Sequence, residues 1–275
     1  MRSSALTDVL DVLSDVRHVG GFLSLGGDDF SDLAMPNLES VGGLSIDGTG
    51  MADLSAFSSL QRIDGLLQVR DSDVFSLTGI EDVKGITQVE LLSNRALIDL
   101  TALSGLQTLE TLWIAENSTM TSLVRLHNVS RVDGPNDGSR LHLSEVVIQS
   151  NPALADLDGL RGLRQVSRSL LVTDNNALTD AGGLAAVQQV GHTLWVVDNP
   201  TLRIVDLSSL SSVAEVLEIS NNPTLALLDL SSLLEVGFLL ISENSSLPTQ
   251  LANAVAQSMR AAGLADEKTV IFGNL

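Results

Sequence analysis

A short pattern recurs along the whole chain, and it constrains the fold more than any other feature. Stretches of the form apolar-x-apolar-x-x-Asn stand at VELLSN (89–94), LWIAEN (112–117), VVIQSN (146–151), LLVTDN (170–175), LWVVDN (194–199), LEISNN (217–222) and LLISEN (239–244). Looser versions are LSLGGD (23–28), LSIDGT (44–49), LQVRDS (67–72) and TVIFGN (269–274). The second apolar position of each gives the series Leu25, Ile46, Val69, Leu91, Ile114, Ile148, Val172, Val196, Ile219, Ile241 and Ile271. Neighbouring members are 21 to 24 residues apart, except for two gaps of 34 and 30. A sustained period of this length is the signature of a solenoid, in which each unit buries its apolar side against the next. The repeat therefore predicts a mainly β, parallel β-solenoid of about eleven rungs.

Each rung has a physical reading. The L-x-I triplet is a short strand whose alternate side chains point inward and stack on their equivalents in neighbouring rungs. One fully buried aliphatic side chain contributes roughly 2 kcal/mol, too little for a single rung to offset its own ordering entropy, so the stack as a whole carries the stability. The asparagines Asn94, Asn117, Asn151, Asn175, Asn199, Asn222 and Asn244 then form an inward ladder. An amide offers donors and an acceptor together, so it can satisfy backbone groups freed where the chain turns and bond to the next rung. Asp28, Thr49 and Ser72 hold the position in the first three rungs, and that end is expected to be less regular. Beyond the ladder come Leu97, Met120, Leu154, Leu178, Leu202, Leu225 and Leu247, followed by apolar residues at every third position, as in LDGLRGLRQV (157–166) and LSSLSSV (207–213). This period reads as extended segments and tight turns, which predicts a coil rich in strand all the way round.

The expected organisation is one solenoid domain over 1–275. Residues 1–21 form a partial first coil or N-terminal cap, since LTDVLDVLSDVRHVGG (6–21) resembles the second half of a coil such as LTDAGGLAAVQQVGH (178–192). Residues 22–247 are the repeats, with an insertion at about 131–145 that accounts for the longest gap. Residues 248–275 hold a capping helix and a final strand. Leu251, Val255 and Met259 recur at helical spacing there, and Gly263 marks the end.

Composition narrows the partners. The chain is 44% hydrophobic but 3% aromatic, with no tyrosine, so its core must be aliphatic. A net charge of −19 repels phosphates and excludes nucleic acid and anionic membrane surfaces as partners. No apolar run approaches the ~20 residues of a membrane-spanning helix. Asp8, Asp11 and Asp15 interrupt the N-terminal stretch where a signal peptide needs continuous apolar residues. The absence of cysteine removes disulfides, thiolate metal sites and cysteine nucleophiles together. His18, His127, His142 and His192 are scattered, which suits surface or turn positions. DGPNDG (133–138) places Pro135 where a calcium loop needs a ligand, and GGDDFSD (26–32) is no more specific. No metal, cofactor or catalytic residue is expected. Sequons begin at Asn117, Asn128 and Asn244, but the first and last belong to the ladder and should be inaccessible.

The motif L-x-I-x-x-N-P-x-L followed by L-x-x-L-x-x-V-x-G, seen in VVIQSNPALADLDGLRGLRQV and LEISNNPTLALLDLSSLLEVG, resembles the leucine-rich repeat of receptor L-domains. That type occurs in the ectodomains of insulin-receptor and epidermal-growth-factor-receptor kinases and in microbial surface proteins. The resemblance covers roughly residues 16–247. It implies a right-handed solenoid, a role in binding or adhesion, and a place outside the cell or on its surface. Relatives commonly clamp their ends with cysteines, and the lack of any here favours a microbial relative.

The outward strand positions point to a site. The first outward row reads Ser24, Ser45, Gln68, Glu90, Trp113, Val147, Leu171, Trp195, Glu218 and Leu240. Both tryptophans of the chain fall in it, three rungs or about 14 Å apart, and Val197 stands in the next row. Apolar strips on an otherwise polar face mark interaction sites, and tryptophan is enriched at energetic hot spots. Trp113, Val147, Leu171, Trp195 and Val197 are therefore the candidate surface for a protein or glycan partner, unless the insertion folds over them. Two other functions compete. One is a structural spacer that self-associates through the exposed N-terminal edge. The other is a polysaccharide-active enzyme, which would need paired carboxylates, whereas the nearest cluster, Asp47, Arg70 and Glu90, is of mixed sign.

Overall fold

Alternation in the repeats builds one long parallel sheet. The computed structural model describes residues 14–27, 30, 32–134, 145–261, 263, 265 and 268–275. In chain order its first strands are β1 (His18–Gly26), β2 (Ser40–Asp47), β3 (Arg62–Arg70), β4 (Lys84–Leu92), β5 (Thr108–Leu109), β6 (Thr111–Ala115), β7 (Arg131–Val132), β8 (Val146–Gln149) and β9 (Gln165–Val166). There follow β10 (Leu170–Thr173), β11 (Gln189–Val190), β12 (Thr193–Val197), β13 (Ile204–Asp206), β14 (Ser212–Ser220), β15 (Leu227–Asp229), β16 (Glu235–Ser242) and β17 (Thr269–Phe272). The main ladder runs β1-β2-β3-β4-β6-β8-β10-β12-β14-β16-β17, parallel throughout. Its register pairs Leu25 with Ile46, Ile46 with Val69, and so on through Ile241 with Ile271, so every inward residue of the repeat meets its neighbour. The result is a parallel β-solenoid of about nine turns. This is slightly fewer than the eleven rungs expected, because full coils run only from β1 to β16 and the last passage, to β17, goes through a helix.

A second side of each coil comes from the short strands β5, β7, β9 and β11, whose inward Leu109, Val132, Val166 and Val190 are buried. Near both ends of the stack one strand turns the corner without breaking, at the price of a register shift, as between Val41 and Leu44 or between Val213 and Val216. The middle coils break there into two strands.

The third side corrects the expectation of strand all round. In most coils it is a single 3-10 turn, at Ser55–Phe57, Thr101–Leu103, Val124–Leu126, Asp158–Leu160 and Gly182–Leu184. A 3-10 helix has three residues per turn, so apolar residues at every third position all face the core. Leu103 N–H donates to Leu100 O at 2.9 Å and Leu106 N–H to Leu103 O at 3.1 Å. Just before the turn this side also pairs in parallel between coils, at single bridges such as Ser76–Asp99 and Asp156–Asp180 and, late in the chain, as the pair β13 and β15. An aspartate opens most of these segments by accepting a backbone N–H two residues on. Asp99 Oδ1 takes Thr101 N–H, Asp206 takes Ser208 and Asp229 takes Ser231, each at 2.9 Å. Such Asx turns fix where the chain bends.

The fourth element is the asparagine corner. Every asparagine of the expected ladder is fully buried. Asn175 shows the pattern: its backbone N–H donates to Asn199 Oδ1 at 3.0 Å, and its Nδ2 lies 3.3 Å from the same atom. The same Nδ2 reaches Ile148 O and Thr173 O, both at 2.9 Å. Its own Oδ1 accepts from Asn151 N–H at 3.1 Å. The ladder runs one residue further than the sequence reading took it, to Asn274, which accepts from Asn244 N–H at 3.3 Å. Immediately before each ladder residue the backbone is left-handed. Asp71, Ser93, Glu116, Ser150, Asp174, Asp198, Asn221 and Glu243 have φ between 49° and 60°. Side chains other than glycine pay strain there, and the amide bonds that follow hold the corner in place. Aspartate and asparagine, which tolerate this region best, take half of these positions.

Helix α1 (Thr249–Ala261) closes the C-terminal end of the core. Ala252, Ala256 and Met259 form its buried stripe, with Leu251 and Val255 packed partly beside them. The inward face is thus turned slightly from the Leu251–Val255–Met259 line expected. The insertion is also shorter than expected at its start, because Arg131–Val132 is a regular strand paired with β5 and β9. Residues 135–144 and 1–13 lie outside the described residues, and with them most of DGPNDG, His142 and the proposed N-terminal cap.

Candidate functional site

The outer side of the main sheet is ordered by the same register as the core. Glu90 pairs with Trp113, Trp113 with Val147, Val147 with Leu171, Leu171 with Trp195, and Trp195 with Glu218. The two indoles therefore stand in one row, three strands apart, with only apolar side chains between them and a carboxylate at each end. Val197 lies in the adjacent row, paired with Thr173 and Ser220.

These residues differ in how much they offer a partner. Trp195 is 38% exposed, whereas Val147 is 7% exposed. Leu171, Val197 and Trp113 are half-buried. Trp113 Nε1 is buried with no hydrogen-bond partner among the described residues, a condition folded proteins rarely leave in place. The exposed part of the strip is centred on Trp195 and Leu171.

Polar groups frame the strip. On the Trp113 side, Ser45 Oγ donates to Gln68 Oε1 at 2.9 Å and Gln68 Nε2 to Glu90 Oε2 at 2.6 Å, a chain of bonds along the row. On the Trp195 side, Ser220 Oγ donates to Glu218 Oε1 at 2.6 Å. Two residues before Val147 and Leu171, immediately ahead of β8 and β10, stand Glu145 and Ser169. Burial pushes the Glu145 carboxyl above the usual carboxylate range, opposed by Arg168, a hydrogen bond from Ser169, and His192. His192 Nε2 lies 3.0 Å from Glu215 Oε2 and its Nδ1 3.0 Å from Thr193 Oγ1. The sequence reading put His192 at the surface but missed this group beside the strip. Counting two positions back from Val147 and Leu171 would have found Glu145 and Ser169.

The cluster weighed for catalysis resolves into separate pairs. Arg70 Nη2 meets Asp47 Oδ2 at 2.9 Å, while Glu90 is held by Gln68. Among the described residues no three histidine, aspartate or glutamate side chains gather as metal ligands. Asn117 and Asn244 of the sequons are buried, and Asn128 is exposed. Strand β1 is the terminal strand of the described sheet, the place to which self-association was assigned. No helix among the described residues is long and apolar enough to cross a membrane. No protein-family model matches the chain, and no curated protein matches it.

Proposed function

We propose that this chain is a non-catalytic recognition module of the leucine-rich, receptor L-domain-like kind, which presents its main sheet face to a protein or glycan partner outside the cell. One observation carries the reading: the register lines up Trp113, Val147, Leu171 and Trp195 as an apolar strip bounded by Glu90 and Glu218. Tryptophan is enriched at energetic hot spots, and Trp195 stands exposed between Leu171 and Glu218 with Val197 beside it. The repeat spacing, the asparagine corner and the Asn-Pro turns support the receptor L-domain likeness.

The test is a panel of immobilised glycans and extracellular proteins probed with the purified chain, then with Trp195→Ala and Leu171→Lys variants. Both positions are outward, so each variant should keep the wild-type circular dichroism. Any partner bound by the wild type should be lost by about thirtyfold or more, the scale of a hot-spot residue. Folded variants that bind as well as the wild type would overturn the assignment.

A further inference from the structure

The second side of the coil carries a groove that the proposed sheet-face site does not use. Its volume is about 490 Å³, within the ~300–1,000 Å³ of small-molecule sites, and it crosses β9, β11, β14 and β16. One wall is a row of outward polar side chains in register: Gln165, Gln189, Ser212 and Glu235. Gln165 Nε2 donates to Gln189 Oε1 at 3.2 Å, and both side chains line the groove. A second hollow of about 320 Å³ lies on the other side of these same two glutamines, so the amide pair is a ridge open from both flanks. The floor lies where the coil bends, and there Gly191 and Gly237 leave no room for a side chain. A Cβ on Gly191 would sit 2.1 Å from Ser167 O, and one on Gly237 2.5 Å from Glu215 O. The groove is therefore built by backbone packing between coils.

We infer that this groove is a second binding site, for a linear neutral oligosaccharide lying along the solenoid axis. The lining selects the class. Among the described residues no arginine or lysine lines the groove itself, so a phosphate or sulfate meets a cation only in the adjoining hollow, at Arg131 and Arg164, and no aromatic or large exposed aliphatic side chain is there to anchor a protein. What it offers is amides that both donate and accept, a hydroxyl and one carboxylate acceptor, the partners that sugar hydroxyls need. The offer repeats at each coil, every ~4.8 Å, close to the advance of one pyranose unit in an extended chain. Four coils therefore hold a short run of sugar units, each beside one polar side chain of the row.

The experiment titrates linear neutral oligosaccharides of glucose, mannose and N-acetylglucosamine into the isotopically labelled full chain and follows the glutamine side-chain amides by NMR. At millimolar sugar, at least one series should shift the Gln165 and Gln189 amide signals. Gln189→Ala should weaken that binding about tenfold, the loss of one or two hydrogen bonds. Ala214→Trp, an exposed position in the groove, should block it while leaving circular dichroism unchanged. Trp195→Ala should leave it untouched, which separates this site from the sheet-face strip. The inference is overturned if no sugar moves these amides, if folded Ala214→Trp binds as the wild type does, or if Trp195→Ala alone abolishes the shifts.

Discussion

The coils at the two ends of the stack solve the same corner with different chemistry. In the central and C-terminal coils an asparagine bonds to the coil on each side. Asn117 accepts from Asn94 N–H at 3.1 Å, donates its own N–H to Asn151 Oδ1 at 3.1 Å, and reaches Leu91 O with Nδ2 at 2.8 Å. In the second and third coils the position belongs to Thr49 and Ser72. There Thr49 N–H meets Ser72 Oγ at 3.3 Å, and Ser72 Oγ turns back to Arg70 O within its own coil. A hydroxyl has one proton to give, and Ser72 gives it to Arg70 O of its own coil, whereas an asparagine such as Asn94 also donates from its side chain to the coil before it, at Val69 O. The comparison teaches that the ladder is the element that couples coils. Where the amide is missing, the apolar stack continues but the polar coupling thins.

The sharpest way to break the comparison is to remove an amide from each region. Asn175→Leu strands Asn151 N–H and the carbonyl of Ile148 and removes one of the two bonds to Thr173 O, and each buried orphan costs about 1–3 kcal/mol. A loss of at least about 3 kcal/mol in urea unfolding is expected, against about 1 kcal/mol for Ser72→Ala. Equal losses would remove the distinction. The complementary change, Ser72→Asn, lets a new amide reach Asn94 Oδ1 and Ile46 O, and should add about 1 kcal/mol to the N-terminal coils, read as slower local exchange of their amides.

Charge gives smaller effects. Burial raises the Glu145 carboxyl above the usual carboxylate range, so the fold binds its proton more tightly than the unfolded chain does. Its contribution is then largest at low pH and falls as pH rises through the folded-state value. Glu145→Gln should raise the free energy of urea unfolding at pH 7 by less than about 1 kcal/mol after screening, and the gain should vanish in acid. Asp99 behaves oppositely. Hydrogen bonds from the Thr101 hydroxyl and Thr101 N–H hold its carboxylate below the usual range. Its contribution is complete above the unfolded value of about 3.9 and disappears as pH falls through the folded one. Asp99→Ala should therefore reduce stability slightly at neutral pH and flatten the acid limb of the stability curve.

How much of this was legible in the sequence depends on which period carried it. The inward series from Leu25 to Ile271 and the outward row from Ser24 to Leu240 follow from strict alternation, and both match the register strand by strand. The 3-10 side was misread because a three-residue apolar period looks like extended chain unless the i to i+3 hydrogen bond is considered. Its marker, an aspartate before most such segments, stood in ADLSAF, IDLTAL, ADLDGL and LDLSSL. The left-handed residue before each ladder position has no single identity, since Asp71, Ser93, Glu116 and Asn221 all serve. Only the stacked geometry reveals it. The groove was invisible because it depends on where a strand bends, and Gly191 and Gly237 look like any other glycine in a list.

The central claim is that amide bonding, beyond apolar stacking, holds neighbouring coils together. Native-state hydrogen exchange on the intact chain tests it most directly. The backbone N–H groups of Asn117, Asn151, Asn175 and Asn199 should exchange only with global unfolding, while those of Thr49 and Ser72 should exchange earlier through local opening. Equal protection at the two sets, or greater protection at Thr49 and Ser72, would contradict it.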